Sequence, residues 1–199
     1  MDDLGPRPAE LLFSEADIAG RTDDLAAEIS AYGCSPAPPL FVGVLNGSLP
    51  FLSDLVRRLP FDVELDFMAI SSYARSGNQS GVVRIVKDLD ADPTGRDVVI
   101  VEDIVDTGLT LNYLRRSLAE RGPRSLAACV LLDKIARRIV PVAVEHRGFE
   151  VPDVFVVGYG LDFQGLYRNV RHIYGVKDVA RLAGDPRLLV TDLYGSHRA

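Results

Sequence analysis

The chain has 199 residues, of which 47% are hydrophobic and 25% charged, enough to bury the core of one ordinary globular domain and too few for two full ones. A formal net charge of -6 argues against neutralising nucleic-acid or membrane phosphates as its main business, although a local basic pocket is still allowed. Two distant cysteines (Cys34 and Cys129), three scattered histidines, no signal-peptide pattern and no apolar run of about 18 residues predict a soluble, cytoplasmic protein without a membrane span.

Ser14 with Asp17 three residues later predicts a helix cap, and Ile18, Leu25, Ile29 and Tyr32 then recur near helical spacing until Gly33. The proline-rich CSPAPP stretch forces a break. LFVGVL (Leu40 to Leu45) reads as a buried strand and Pro50 to Leu59 as a short helix. VELDFMAI (Val63 to Ile70) and VVRIVKDL (Val82 to Leu89) read as strands on either side of the polar SSYARSGNQSG. DVVIVED makes the next strand, Thr110 to Arg121 a helix stopped by Gly122 and Pro123, and SLAACVLLD (Ser125 to Asp133) a strand after it. Strands alternating with helices predict an α/β fold with a mostly parallel twisted sheet flanked by helices. From Val151 the pattern changes: VPDVFVVGYGLDFQGLYRN is expected to add a small hood. With no repeat and no separating linker, residues 1–199 are expected to form one domain, and the tail after about residue 177 carries no assignable pattern.

The chemistry concentrates in VVIVEDIVDTGLTL, Val98 to Leu111. Open parallel sheets bind ligands beyond the carboxyl ends of their strands, where loops and helix amino termini converge. Asp106, Thr107, Gly108, Leu109 and Thr110 would form such a turn, with backbone N–H groups and hydroxyls able to surround a phosphate monoester. Glu102 and Asp103 are acceptors only, which suits a ribose diol rather than a second anion. A sugar phosphate satisfies both halves. The bland alternative is an acidic loop whose Asp106 or Thr107 only caps a helix.

This stretch closely resembles the phosphoribosyl pyrophosphate (PRPP) signature of the type I phosphoribosyltransferases. Over roughly Leu40 to Val176 the chain is similar to their hypoxanthine-guanine branch, through GVLNGS, AISSY, LLDK and FVVGYGLDF in the family's order. The resemblance implies that Asp106 is the general acid/base near purine N7, that Glu102 and Asp103 hold the ribose, and that Thr107 to Thr110 hold the 5′-phosphate. It implies that Asn46 and Gly47 line the pyrophosphate loop, that Ser72 and Tyr73 open the mobile catalytic loop, and that Arg168 contacts pyrophosphate. Lys134 would donate to the purine 6-oxo group, which an adenine amino group cannot accept. Phe155, with Val156 beside it, would stack on the base, and Asp162 would complete the purine site. The implied cofactor is Mg²⁺, reached by Glu102, Asp103 and Asp162. The implied partners are a 6-oxopurine and PRPP, with no nucleic acid and no membrane, in a homodimer or homotetramer. The residues alone favour a solvated lysine at 134 and a core aromatic at 155, and they allow Asp162 and Arg168 as surface charges and the polar segment as a hairpin tip.

Two positions depart from the family pattern: Asn46 stands where many members carry lysine, and Ile135 follows Lys134 where proline or another residue is common. The family's first loop often carries a non-proline cis peptide, which here would be Leu45-Asn46. Rival readings are a regulatory protein that uses the same fold to bind nucleic acid, and a phosphoribosyltransferase for another base such as xanthine or a pyrimidine. The first would need a basic face, and its candidates, Arg57-Arg58, Arg115-Arg116 and Arg137-Arg138, are dispersed.

Overall fold

The computed structural model describes residues 8–30, 37–73 and 82–194. Strand β1 (Ala9–Phe13) leads into helix α1 (Glu15–Ser30), strand β2 (Leu40–Leu45), helix α2 (Leu49–Val56), strands β3 (Glu64–Tyr73), β4 (Val82–Lys87) and β5 (Asp97–Val105), helix α3 (Leu109–Ala119) and strand β6 (Ser125–Asp133). A 3₁₀ turn (Ile135–Arg137), strands β7 (His146–Glu150), β8 (Phe155–Val157) and β9 (Ile173–Val176), and helices α4 (Val179–Gly184) and α5 (Val190–Tyr194) complete the order.

Six strands form the main sheet in the order β4-β3-β2-β5-β6-β7. All pairings are parallel except that of β3 with β4, an antiparallel hairpin at one edge. Period-two alternation splits each central strand between two cores. Phe41, Val99, Val101, Cys129 and Leu131 face the helix side formed by α1 and α2. Leu40, Val42, Val98, Ile100, Ala128 and Val130 face Leu111, Leu114 and Leu118 of α3. Burial on both faces explains why these strands read as continuous apolar runs. The predicted cap of α1 is present: the Ser14 amide and hydroxyl donate to Asp17 Oδ2 at 2.9 and 2.6 Å, and the Asp17 amide donates back to Ser14 Oγ at 3.2 Å.

Strand order, more than strand count, positions the site. From β2 the sheet grows outward through β3 in one direction and through β5 in the other, so the winding reverses between β2 and β5. The crevice at such a reversal, beyond the carboxyl ends of the strands, is where this architecture accepts ligands.

The hood is a separate three-stranded antiparallel sheet, β1-β9-β8. Strands β1, β7 and β9 escape prediction from sequence, because short strands of mixed polarity are specified by their partners rather than by their own pattern. The tail also acquires structure. Leu182 and Leu189 pack against Val157, Tyr167 and Val176 of the hood, and the Tyr167 hydroxyl donates to Pro186 O at 2.5 Å. The part of the first helix expected beyond Ser30, with Tyr32 and Gly33, lies outside the described residues, as does Cys34.

Candidate active site

At the reversal between β2 and β5 the backbone is packed so closely that side chains are excluded. The Leu45-Asn46 peptide is cis, at the position the family resemblance implies. Gly47 is buried, and a Cβ there would overlap Asp103 Oδ2. A Cβ on Gly160, whose φ is +98°, would overlap Gly47 O, so the hood turn, the first loop and the end of β5 form three touching layers. Arg168 locks the outer layer: its Nη1 donates to Gly160 O at 2.6 Å and its Nη2 pairs with Asp162 Oδ1 at 2.7 Å. The other Asp162 oxygen accepts from the Gly165 amide at 2.7 Å. Asn46 is exposed on the rim.

Packing without water raises the cost of charge on the carboxylates beneath. Burial, and then the Asp103 charge, pushes the Glu102 carboxyl well above its ordinary range, and its Oε2 is buried without a hydrogen-bond partner. Burial pushes Asp103 up to about 6, against the pull of the Ile104 amide and of Arg168. Carboxylates in this state gain from a cation or from hydroxyl donors. The described residues form no group of three or more metal-ligating side chains. The desolvated carboxylates fit Mg²⁺, which keeps waters and substrate oxygens and takes one or two protein carboxylates.

On the other side of the crevice, Gly108 caps α3 in a left-handed conformation, φ +83°. A Cβ there would lie 2.8 Å from Val140 O, so glycine satisfies both the turn and the close approach. Asn112 N donates to Gly108 O at 2.9 Å, closing the first turn, and the amides before it belong to the unsatisfied helix start. Leu109 is exposed, its amide reaching Thr107 Oγ1 at 3.4 Å, and Thr110 is half-buried. Asp106 is half-buried and forms an ion pair with Arg137, Nε to Oδ1, at 2.8 Å.

Lys134 is buried at 5% exposure, and its backbone amide donates to Val105 O at 2.9 Å, which sets it beside the residue before Asp106. Its ammonium forms no ion pair among the described residues. Asp133, immediately before it, is fully buried and is gripped by Arg138 and Arg147, each at 2.7 Å. Phe155 is half-buried with its ring edge-on to Phe163, centroids 5.7 Å apart, while Val156 is buried in the core. The backbones of Ser72 and Tyr73 pair with Val83 and Val82 at the end of the edge hairpin; the rest of the predicted mobile loop, residues 74–81, lies outside the described residues. Sequence reasoning missed Gly160, Asp153 and the role of Arg137. A Gly160 contact with Gly47, more than a hundred residues away, leaves no local pattern, whereas the paired arginines after LLDK were a visible signal.

Among the described residues, most of the dispersed arginines are drawn into ion pairs. Arg57 pairs with Asp54, Arg58 with Asp23 and Arg115 with Glu145. A cavity of about 310 Å³ lies at the opposite, amino-terminal edge of the sheet, lined by Pro38, Phe41, Phe61, Val99 and Leu126. It is apolar and remote from the carboxylates and Lys134.

A model of the phosphoribosyl transferase domain matches residues 13–164. The chain is 44% identical over 164 residues to the hypoxanthine-guanine phosphoribosyltransferase of Bacillus subtilis, which covers 82% of this chain and 91% of the relative. It is 52% identical over 180 residues to the hypoxanthine-guanine phosphoribosyltransferase of Mycobacterium avium, with 84% and 89% covered. Among solved structures it is similar to a hypoxanthine phosphoribosyltransferase of Staphylococcus aureus, with a TM-score of 0.80, 39% identity and coverage of 86% and 92%. A hypoxanthine phosphoribosyl transferase of Trypanosoma cruzi gives a TM-score of 0.82 at 36% identity, covering 89% and 95%.

Proposed function

The chain belongs to the phosphoribosyl transferase domain family, and from that premise we propose how its residues convert hypoxanthine or guanine plus PRPP to IMP or GMP plus pyrophosphate, a purine-salvage reaction. The observation that carries the proposal is the convergence at one sheet edge of three features. These are a desolvated carboxylate pair, with Glu102 buried and Asp103 half-buried, a glycine-capped helix start and a buried lysine without an ion-pair partner among the described residues.

PRPP binds with its 5′-phosphate in the Thr107 to Thr110 turn, where backbone donors and the helix dipole meet the anion. Glu102 and Asp103 accept from the ribose hydroxyls and hold the ring rigid. Asn46, Gly47 and Arg168 face the pyrophosphate, with the loop beginning at Ser72 and Tyr73 closing over it to exclude water. The base lies against Phe155 and beside Val156, with its 6-oxo group toward Lys134. As a purine ring nitrogen bonds to the anomeric carbon, the bond to pyrophosphate breaks and Asp106 exchanges the proton of the purine N7 region. Glu102, Asp103 and Asp162, together with PRPP oxygens, would hold Mg²⁺, which when bound would supply positive charge to the pyrophosphate leaving group.

We read the protein as cytoplasmic and as a homodimer or homotetramer, with the whole chain as one domain. Among the described residues no helix is long and apolar enough to cross a membrane.

An ultraviolet assay with PRPP, Mg²⁺ and each free base in turn tests the assignment. Turnover is expected with 6-oxopurines and not with adenine, because Lys134 donates to an oxygen and not to an amino group. Comparable turnover of adenine would sink it.

A further inference from the structure

Arg137 stands where the two halves of the site meet. Its Nε lies 2.8 Å from Asp106 Oδ1 and its Nη1 3.0 Å from Asp153 Oδ1, two residues before Phe155. The backbone that carries it is not a free surface turn. The Arg137 amide donates to Lys134 O at 2.9 Å, the Ile139 and Val140 amides donate to Thr107 O at 2.9 and 3.3 Å, and Val140 O packs under Gly108. The segment from Lys134 to Val140 is thus strapped to the turn that contains Asp106. Asp106 Oδ1 is shielded from solvent, yet no donor, Arg137 included, aligns with it in a hydrogen bond. Arg137 therefore holds this oxygen by charge.

The neighbouring arginine shows the contrast. Arg138 is 15% exposed in its side chain and pairs with fully buried Asp133, so it supports the fold. Arg137, Asp106 and Asp153 have side chains 44%, 40% and 58% exposed, a setting in which ion pairs add little to stability. Orientation, rather than stability, is what such a fork can supply.

We propose that Arg137 is a positioning residue of the transfer reaction: it aims the Asp106 carboxylate at the purine and ties it, through Asp153, to the strand that carries Phe155. The inference rests on the reading of Asp106 as general acid/base.

The test measures kcat, KM for PRPP and melting temperature for the parent, Arg137→Gln, Asp106→Asn and the double variant. Arg137→Gln is expected to lower kcat about five- to fiftyfold, with KM for PRPP within about twofold and the melting temperature within about 2 °C of the parent. In the Asp106→Asn background the same change should have no further effect beyond about twofold, since its target is gone. Parental turnover in Arg137→Gln, or full multiplication of the two losses in the double variant, overturns the proposal. Should Arg137→Gln melt far below the parent, Asp153→Asn reads the bridge from its other end: a kcat loss absent from the Asp106→Asn background supports the proposal, and an equal loss in both backgrounds overturns it. Parental turnover in Asp106→Asn alone would remove Asp106 from the chemistry, a failure of the underlying reading that is seen without any change at Arg137.

Discussion

Desolvation beneath Gly47 pushes the Asp103 carboxyl up to about 6, against the ordinary 3.8 of an aspartate. Proton linkage gives this a definite sign. Between these two values the folded chain holds a proton that the unfolded chain has released, so folding stability falls as pH rises from about 4 to about 6. The full cost is present above that window. Glu102, raised in the same direction, adds to it. Asp103→Asn should therefore be more stable than the parent at pH 7.5 in the absence of ligands, by on the order of 1 to 3 kcal/mol, with the difference vanishing toward pH 4. Denaturant melts at both pH values check this. A pH-independent difference would mean that burial does not set the Asp103 carboxyl. The same variant should lose at least about tenfold in turnover, because the group that destabilises the ligand-free chain is the one proposed to hold ribose.

The turn between β5 and α3 works as a unit. Its conformation depends on Gly108, whose left-handed φ and contact with Val140 O leave no room for a side chain. Gly108→Ala is expected to cost roughly 1 to 3 kcal/mol and to weaken PRPP binding more than hypoxanthine binding, since the turn is the proposed phosphate seat. Thermal melts and ligand titrations measure the two effects, and an unchanged melting temperature would contradict the steric argument. The edge hairpin of β3 and β4 acts differently. Shortening the Ser71 to Gly81 segment should reduce kcat far more than it weakens nucleotide-product binding, because the loop is proposed to act on the closed state. Equal losses in single-turnover rate and product affinity would make it a plain connection.

At the scale of the whole molecule, the sheet and the hood each supply half of the site, so a ligand that bridges them should stabilise the fold. PRPP at about a hundred times its dissociation constant should add about 2.7 kcal/mol, which is several degrees in melting temperature for a chain of this size. With Mg²⁺ chelated, most of that shift should disappear, since carboxylates poised by burial repel a bare polyanion. An equal shift with and without the metal would detach Glu102 and Asp103 from cation binding.

The parallel core and its order along the chain were legible from sequence because β2, β5 and β6 are buried on both faces and α3 places Leu111, Leu114 and Leu118 on one stripe. The carboxylates and the glycine turn were legible for a related reason, because chemistry that depends on one strand-to-helix turn is written contiguously, whereas Lys134, after β6, was singled out only by the family resemblance. Tertiary structure alone decided that the winding reverses between β2 and β5, and that Gly47 packs onto Asp103, with Gly160 packed on Gly47, raising the proton affinity of the carboxyl. It also decided that the hood is completed by β1 from the opposite end of the chain, that the tail helices cover it, and that Arg137 reaches both Asp106 and Asp153. Those contacts join residues far apart in sequence through steric exclusion and desolvation, which depend on what surrounds a group and leave no periodicity in the chain itself.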